Sequence, residues 1–386
     1  MSAGSVIAPP SLRTILDVDS ATTYLIEQGL IDTTAVLDRA LTITEGARRN
    51  RHLRVEISGM PGFLVKQSNG PSESPTTLRN EAAFYLFCHE HLTGASVLNI
   101  LPRFVRFDED RSVLVLELLS EAMPLWQHYL AQTDIPRRPT VDLGRALGSW
   151  HAAFRLRSPL SDNSLKWLPT HLPQILRIHR PSIDWLADIS AGGYEILRIL
   201  QSRRRLMRQL DKLSSAWTPN TIIHGDIRAD NILVIPSQPE SVQLRLVDWE
   251  LVQYGDPAWD LAGAFQDLLL FWISTIPDLP ETSNSDLELR TAQAHYPLAV
   301  IQAALRAVWH GYRETADLRS ASMHFVLSRA IQFSSIRLIQ AALEATQGGG
   351  PLPSKAVLLL QIASNILDDP ATAQVRLFGI PQSVAA

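Results

Sequence analysis

Cysteine is almost missing: Cys88 is the only one in 386 residues. One thiol cannot close an internal disulfide, and it excludes a Cys-built zinc or iron–sulfur site. A reducing, cytoplasmic setting is expected. Lysine is scarce as well; of 35 basic residues only Lys66, Lys166, Lys212 and Lys355 are lysines. There is no excess of positive charge. The formal net charge is −4, which argues against a surface built to neutralise a phosphate backbone, so no nucleic-acid partner is expected. Long apolar runs are absent too. The longest, 261–276, is broken by Gln266 and Asp267 and falls short of a bilayer. The opening MSAGSVIAPPSLR carries no charged-then-apolar signal segment, and no membrane partner is expected. A Walker loop and a Gly-x-Ser-x-Gly elbow are also missing, which removes P-loop NTPases and α/β-hydrolases.

What is present suits a large core: 46% of residues are apolar and 19% charged, enough chain for two domains. Residues 1–13 and 380–386 read as frayed ends. Helical spacing over 20–40 is followed by short β-type segments at 41–44, 53–57, 63–66, 104–107 and 113–118. One helix, about 76–91, interrupts them. After Ser120 the chain turns helical. Asp142 is expected to cap a helix through Phe154, and further helices are expected over about 190–214, 257–275, 297–313, 322–346 and 354–366. Short strands at 221–223, 232–235 and 244–247 sit inside this half.

The chemistry gathers around those strands. Residues 222–234 read Ile-Ile-His-Gly-Asp226-Ile-Arg228-Ala-Asp-Asn231-Ile-Leu-Val, and a third strand ends in Val247-Asp248-Trp249-Glu250. Phosphoryl transfer from ATP needs a carboxylate to orient an acceptor hydroxyl and take its proton, together with oxygen ligands for magnesium. Asp226 suits the first role; Asn231 and Asp248 suit the second. A solvated turn before a capped helix would explain any one of these residues, but not the whole string.

That string resembles the catalytic loop of the aminoglycoside phosphotransferase and choline kinase-like family, relatives of protein kinases. Similar family segments are Gly255-Asp256-Pro257-Ala-Trp259-Asp260-Leu-Ala, with Asp256 as a helix cap, and Leu143 to His151. Asp260 is expected to brace the loop and His151 to be packed rather than act as a base. The resemblance implies an α+β, bilobal protein-kinase-like fold. Its small antiparallel N-lobe (1–119) would carry the phosphate grip and hinge, and its helical C-lobe (120–386) the catalytic loop and acceptor site, with ATP in the cleft between. Lys66 is the expected phosphate-gripping lysine, paired with Glu81 fifteen residues on. The backbone at Glu117 and Leu118 marks the adenine-binding hinge. Arg228 stands where protein kinases keep a lysine near the γ-phosphate. The phosphate loop departs from the pattern: Glu45-Gly46-Ala-Arg48-Arg49-Asn-Arg51 has one glycine, so its arginines could supply contacts or simply face water.

Cys88-His89-Glu90-His91 lacks metal-ligand spacing. With base, metal ligands and lysine all present, an active ATP- and Mg²⁺-dependent O-phosphotransferase is expected over a pseudokinase scaffold. Acids are few between 281 and 386, which weakens a polycationic acceptor. Together with the arginines at 203, 204, 205 and 208, and a looser resemblance to kinase-type proteins of peptide natural-product pathways, this favours Ser or Thr of a precursor peptide. A partner lyase would then act on the product. A small-molecule kinase, acting on an aminoglycoside, a choline-like amine or another antibiotic, is the alternative.

Overall fold

The computed structural model describes residues 15–382 except 39, 47–50, 69–74, 93, 133, 156, 160, 188, 239–240, 278–292 and 350–351. Two compact units emerge, one formed by residues up to Thr93 with Pro102–Ser120, the other by Gly94–Leu101 with Glu121 onward.

The first unit is a five-stranded antiparallel sheet with helices. Helices α1 (Val18–Glu27) and α2 (Thr33–Leu37) lead into β1 (Leu41–Gly46), β2 (Arg51–Ile57) and β3 (Met60–Gln67). After α3 (Pro75–His91) come β4 (Phe104–Asp108) and β5 (Val113–Glu117), in sheet order β1-β2-β3-β5-β4. Asp17 caps α1, accepting from the Ser20 amide at 2.8 Å while Ser20 Oγ returns a bond. Successive residues of a strand face opposite ways. Val65 therefore joins Tyr24, Leu25, Val55 and Val115 in the core on one face. Lys66, next along the strand, turns to the other, where α3 presents Glu81.

In the second unit β6 (Met123–Pro124) leads into α4 (Leu125–Leu130) and α5 (Arg137–Phe154). Then follow α6 (Ile183–Ala187), α7 (Ala191–Ser202) and α8 (Arg204–Ser215). Strands β7 (Thr221–Ile223), β8 (Ile232–Gln238), β9 (Ser241–Leu246) and β10 (Gln253–Gly255) precede α9 (Pro257–Ser274). The chain closes through α10 (Leu298–Thr315), α11 (Ser320–Glu344), α12 (Ser354–Asp368) and α13 (Pro370–Arg376). Strands β6-β8-β9 form one small sheet and β10-β7 another, and the catalytic string lies between β7 and β8.

Two sequence expectations need correction. Asp142 caps nothing: α5 begins five residues earlier, because Pro139 in its first turn lacks only an N–H that would have no helical partner there. Asp142 instead pairs with Arg145 at 3.1 Å. The helix expected over 190–214 is two, broken at Arg203, whose backbone is extended. Leu200 and Leu206 are six residues apart, roughly 120° around a continuous helix, at the edges of one apolar face; the break resets the phase and both are buried.

Candidate active site

Each unit carries part of the expected inventory. In the first, Lys66 Nζ lies 2.9 Å from both carboxylate oxygens of Glu81, with Lys66 2% and Glu81 0% exposed. The expected pair is present, and both side chains are buried. At the end of β5 the amides of Glu117 and Leu118 donate to the carbonyls of Arg103 and Gly62, both at 3.0 Å. Arg48 and Arg49 lie outside the described residues, and Arg51 opens β2.

In the second unit the catalytic string is held from several sides. Gly225 takes φ +85°, and a Cβ there would stand 2.3 Å from the Leu251 carbonyl, so only glycine fits. Asp260, fully buried on α9, accepts the amides of His224 (2.7 Å) and Gly225 (2.9 Å) and meets His151 Nε2 at 3.2 Å. Burial works against its charge, but the His151 and His224 contacts outweigh it and hold the carboxyl below its usual value. Asp260 braces and His151 is packed, as the sequence implied. Asp256 caps α9, accepting the Ala258 amide at 3.0 Å.

His224 joins the loop to β9. Its Nδ1 accepts the Asp226 amide at 3.2 Å, which leaves Nε2 to donate to the Val247 carbonyl at 2.9 Å. Asn231 closes the circle: Nδ2 donates to the Asp226 carbonyl (3.0 Å) and Oδ2 (3.3 Å), and its carbonyl accepts the Val247 amide (2.9 Å). Asp248 follows directly, in a left-handed conformation at φ 68°. Such a conformation costs about 1–3 kcal/mol for a non-glycine residue and is concentrated at functional sites. Asp226 and Asn231 therefore sit in one hydrogen-bonded unit with His224 and Val247, and Asp248 is the residue that follows it.

Beside Asp226 opens a pocket lined by Asp226, Arg228, Gln266, Asp267, Leu270, Arg337, Gln340, Ala341 and Glu344. Sequence reading gave no role here to Arg337 or Asp267. Arg337 Nη2 donates to Asp226 Oδ1 at 3.1 Å and to the Ile227 carbonyl at 3.0 Å. Arg228 is half-exposed and loosely paired, 3.9 Å from Asp230 and 4.0 Å from Glu344. Burial disfavours its charge, yet Asp226, Glu344, Asp230 and Asp267 together keep the guanidinium firmly protonated. Burial pushes the Asp267 carboxyl up to about 6, against a bond from the Ala229 amide and the nearby arginines that pull it down. The signal for Asp267 was present: with Gln266 it interrupts the longest apolar run. A polar pair inside a buried helix needs a reason.

Strand lysine, helix glutamate, braced His-Gly-Asp loop and Asp248 together define the kinase-like phosphotransferases. The chain belongs to the phosphotransferase enzyme family, whose pattern it matches over residues 41–310. These are ATP-dependent enzymes acting on hydroxyl groups. The fold is similar to that of an ethanolamine kinase from Plasmodium vivax, with TM-score 0.54, 12% identity and coverage of 91% of this chain and 90% of that one. It is also similar to a microcompartment-associated aminopropanol kinase, with TM-score 0.51, 16% identity and coverage of 91% and 99%. A further match, to human acyl-CoA dehydrogenase family member 11, is 29% identical over 102 residues, 26% of this chain. The chain spans only 12% of that protein's length.

Proposed function

We propose that the protein transfers the γ-phosphoryl group of ATP to a hydroxyl of a small molecule bearing one basic nitrogen. The observation that carries this reading is the pocket beside Asp226. Its charges nearly pair off, Arg337 with Asp226 and Arg228 with Glu344. Asp267, which accepts the Ala229 amide and faces both arginines, is the carboxylate the pocket offers to an incoming cation, and one such acid suits one ammonium rather than many. Two proteins of similar fold, an ethanolamine kinase and an aminopropanol kinase, have names that describe such acceptors.

The acceptor O–H donates to Asp226, which takes the proton as the oxygen bonds to the γ-phosphorus and the bond to the ADP oxygen breaks. Lys66, oriented by Glu81, grips phosphate oxygens, and Arg228 meets the γ-phosphate. Because the amide nitrogen of Asn231 is committed to Asp226, its Oδ1 is the atom left for a cation. That oxygen and the Asp248 carboxylate suit Mg²⁺, which would offset charge on the phosphates. The amides of Glu117 and Leu118 already donate, so adenine would meet carbonyls there or amides farther on. A cytoplasmic setting accords with one buried thiol; among the described residues no helix is long and apolar enough to cross a membrane.

One reason in the sequence for a peptide acceptor is that acids are few after residue 281. The pocket draws Asp226 from the catalytic loop and Asp267 from α9, so that reason falls away. Arg205, one of the arginines counted towards a peptide acceptor, is tied to Asp368 at 3.0 Å. The test is transfer from γ-³²P-ATP to ethanolamine, 1-amino-2-propanol, an aminoglycoside and Ser/Thr peptides. Labelled amino alcohols are expected. Peptide labelling alone would replace the acceptor, and labelling of nothing would remove the reading.

A further inference from the structure

We infer that Arg337 is a positioning residue for the catalytic carboxylate, supplied by a helix that lies beyond the family-matched span. The inference rests on Asp226 being the base, as proposed above. Residues 41–310 match the family, whereas α11 runs from Ser320 to Glu344 and brings Arg337, Gln340, Ala341 and Glu344 to the pocket.

One nitrogen of Arg337, Nη2, serves both Asp226 Oδ1 and the carbonyl of the next residue, Ile227. Two donors on a single atom thus fix the carboxylate relative to its own main chain. Asn231 reaches the other oxygen, Oδ2, at 3.3 Å. With Oδ1 committed, the acceptor hydroxyl has a defined edge of the carboxylate to approach. Arg337 is itself locked. It is 5% exposed, and its guanidinium lies 5.3 Å over the Trp259 ring. Trp259 Nε1 in turn donates to the Gly225 carbonyl at 2.9 Å and its ring packs on Phe333, one turn before Arg337. A lysine would keep the charge but lose the planar fork and the stacking.

An arginine that merely anchors α11 would look alike in a single substitution, so the test separates the two roles. Arg337→Met and Arg337→Lys are made alone and with Asp226→Asn, and phosphate release to water and transfer to 1-amino-2-propanol are measured. For a positioning role, Arg337→Met lowers kcat about 10²-fold, the scale of a misplaced group, with KM for Mg-ATP unchanged within twofold. Arg337→Lys falls between, and added guanidinium ion restores part of the Arg337→Met rate. In the Asp226→Asn background the Arg337→Met change costs less than about threefold, because residues acting as one unit are non-additive. Losses that multiply across the two sites, loss of nucleotide affinity in step with kcat, or a wild-type kcat in Arg337→Met would each overturn the inference. If Arg337→Met does not fold, the same comparison is read from Arg337→Lys. A wild-type protein that neither transfers nor hydrolyses overturns the proposed function, and this inference with it, whereas an active wild type with an active Arg337→Met overturns the inference alone.

Discussion

At the residue scale, three carboxylates divide the work, and each division has a measurable consequence. Asp226→Asn removes the proton acceptor while keeping shape and one acceptor oxygen for Arg337, at the loss of the Asn231 Nδ2 contact to the second oxygen. Transfer should fall about 10²–10⁴-fold, the usual worth of a general base, with Mg-ATP affinity unchanged by calorimetric titration. Asp248→Ala should instead lose the Mg²⁺-dependent part of nucleotide affinity; equal losses in the two variants would contradict the roles given. Asp267 adds a pH dependence. Its folded value of about 6 lies above the ordinary 3.8. Between those two values the folded protein holds a proton that the unfolded chain has released, so stability falls as pH rises through that window and levels off above it. Asp267→Asn should flatten this slope in urea midpoints taken across the window. Since only the ionised carboxylate attracts an ammonium, KM for an amino alcohol should fall as pH rises past about 6, and do so less in Asp267→Asn.

At the element scale, the second unit depends on two helices in close approach. A Cβ on Gly144 of α5 would stand 2.0 Å from the Val308 carbonyl, and one on Gly311 of α10 would stand 2.0 Å from that of Val141. Gly311→Ala should therefore cost about 1–3 kcal/mol by overpacking, measured by urea unfolding, and a variant with unchanged stability would show that the helices separate freely. Neither glycine could be told from an ordinary helix glycine in the sequence, because close approach depends on a partner more than 160 residues away. The elements themselves were legible: the five strands of the first sheet and helix α3 follow from period-two and period-3.6 patterns and from their turn residues. Boundaries set by tertiary packing were not, as the start of α5 and the break at Arg203 show. The catalytic string was legible because its residues are neighbours in sequence. Arg337, 111 residues from Asp226, was not, since an arginine among Ser334, Ser335, Ile336 and Leu338 reads as one polar position on a helix.

At the scale of the whole molecule, folding and chemistry ask different things of the same residues, and the Lys66–Glu81 pair separates them. Both side chains are almost fully buried, and each charge has the other as an ion-pair partner. Removing one partner takes the ion pair from a buried charge, a loss of about 3–5 kcal/mol in comparable cases, whereas replacing both by apolar residues of similar volume is often neutral or stabilising. Lys66→Met alone should therefore destabilise the protein, and Lys66→Met with Glu81→Leu should recover most of that loss in denaturant unfolding. Activity should not recover with it. The lysine's proposed task is to hold phosphate oxygens, and an apolar pair offers them nothing, so nucleotide affinity and transfer should stay low in the double variant. Unfolding curves and Mg-ATP titrations on the same four proteins decide the matter. Recovery of stability without recovery of binding would show that the pair is kept for the phosphate grip. Recovery of both would mean that the grip lies elsewhere. Failure to recover stability would mean that the sheet and α3 need this ion pair to pack at all.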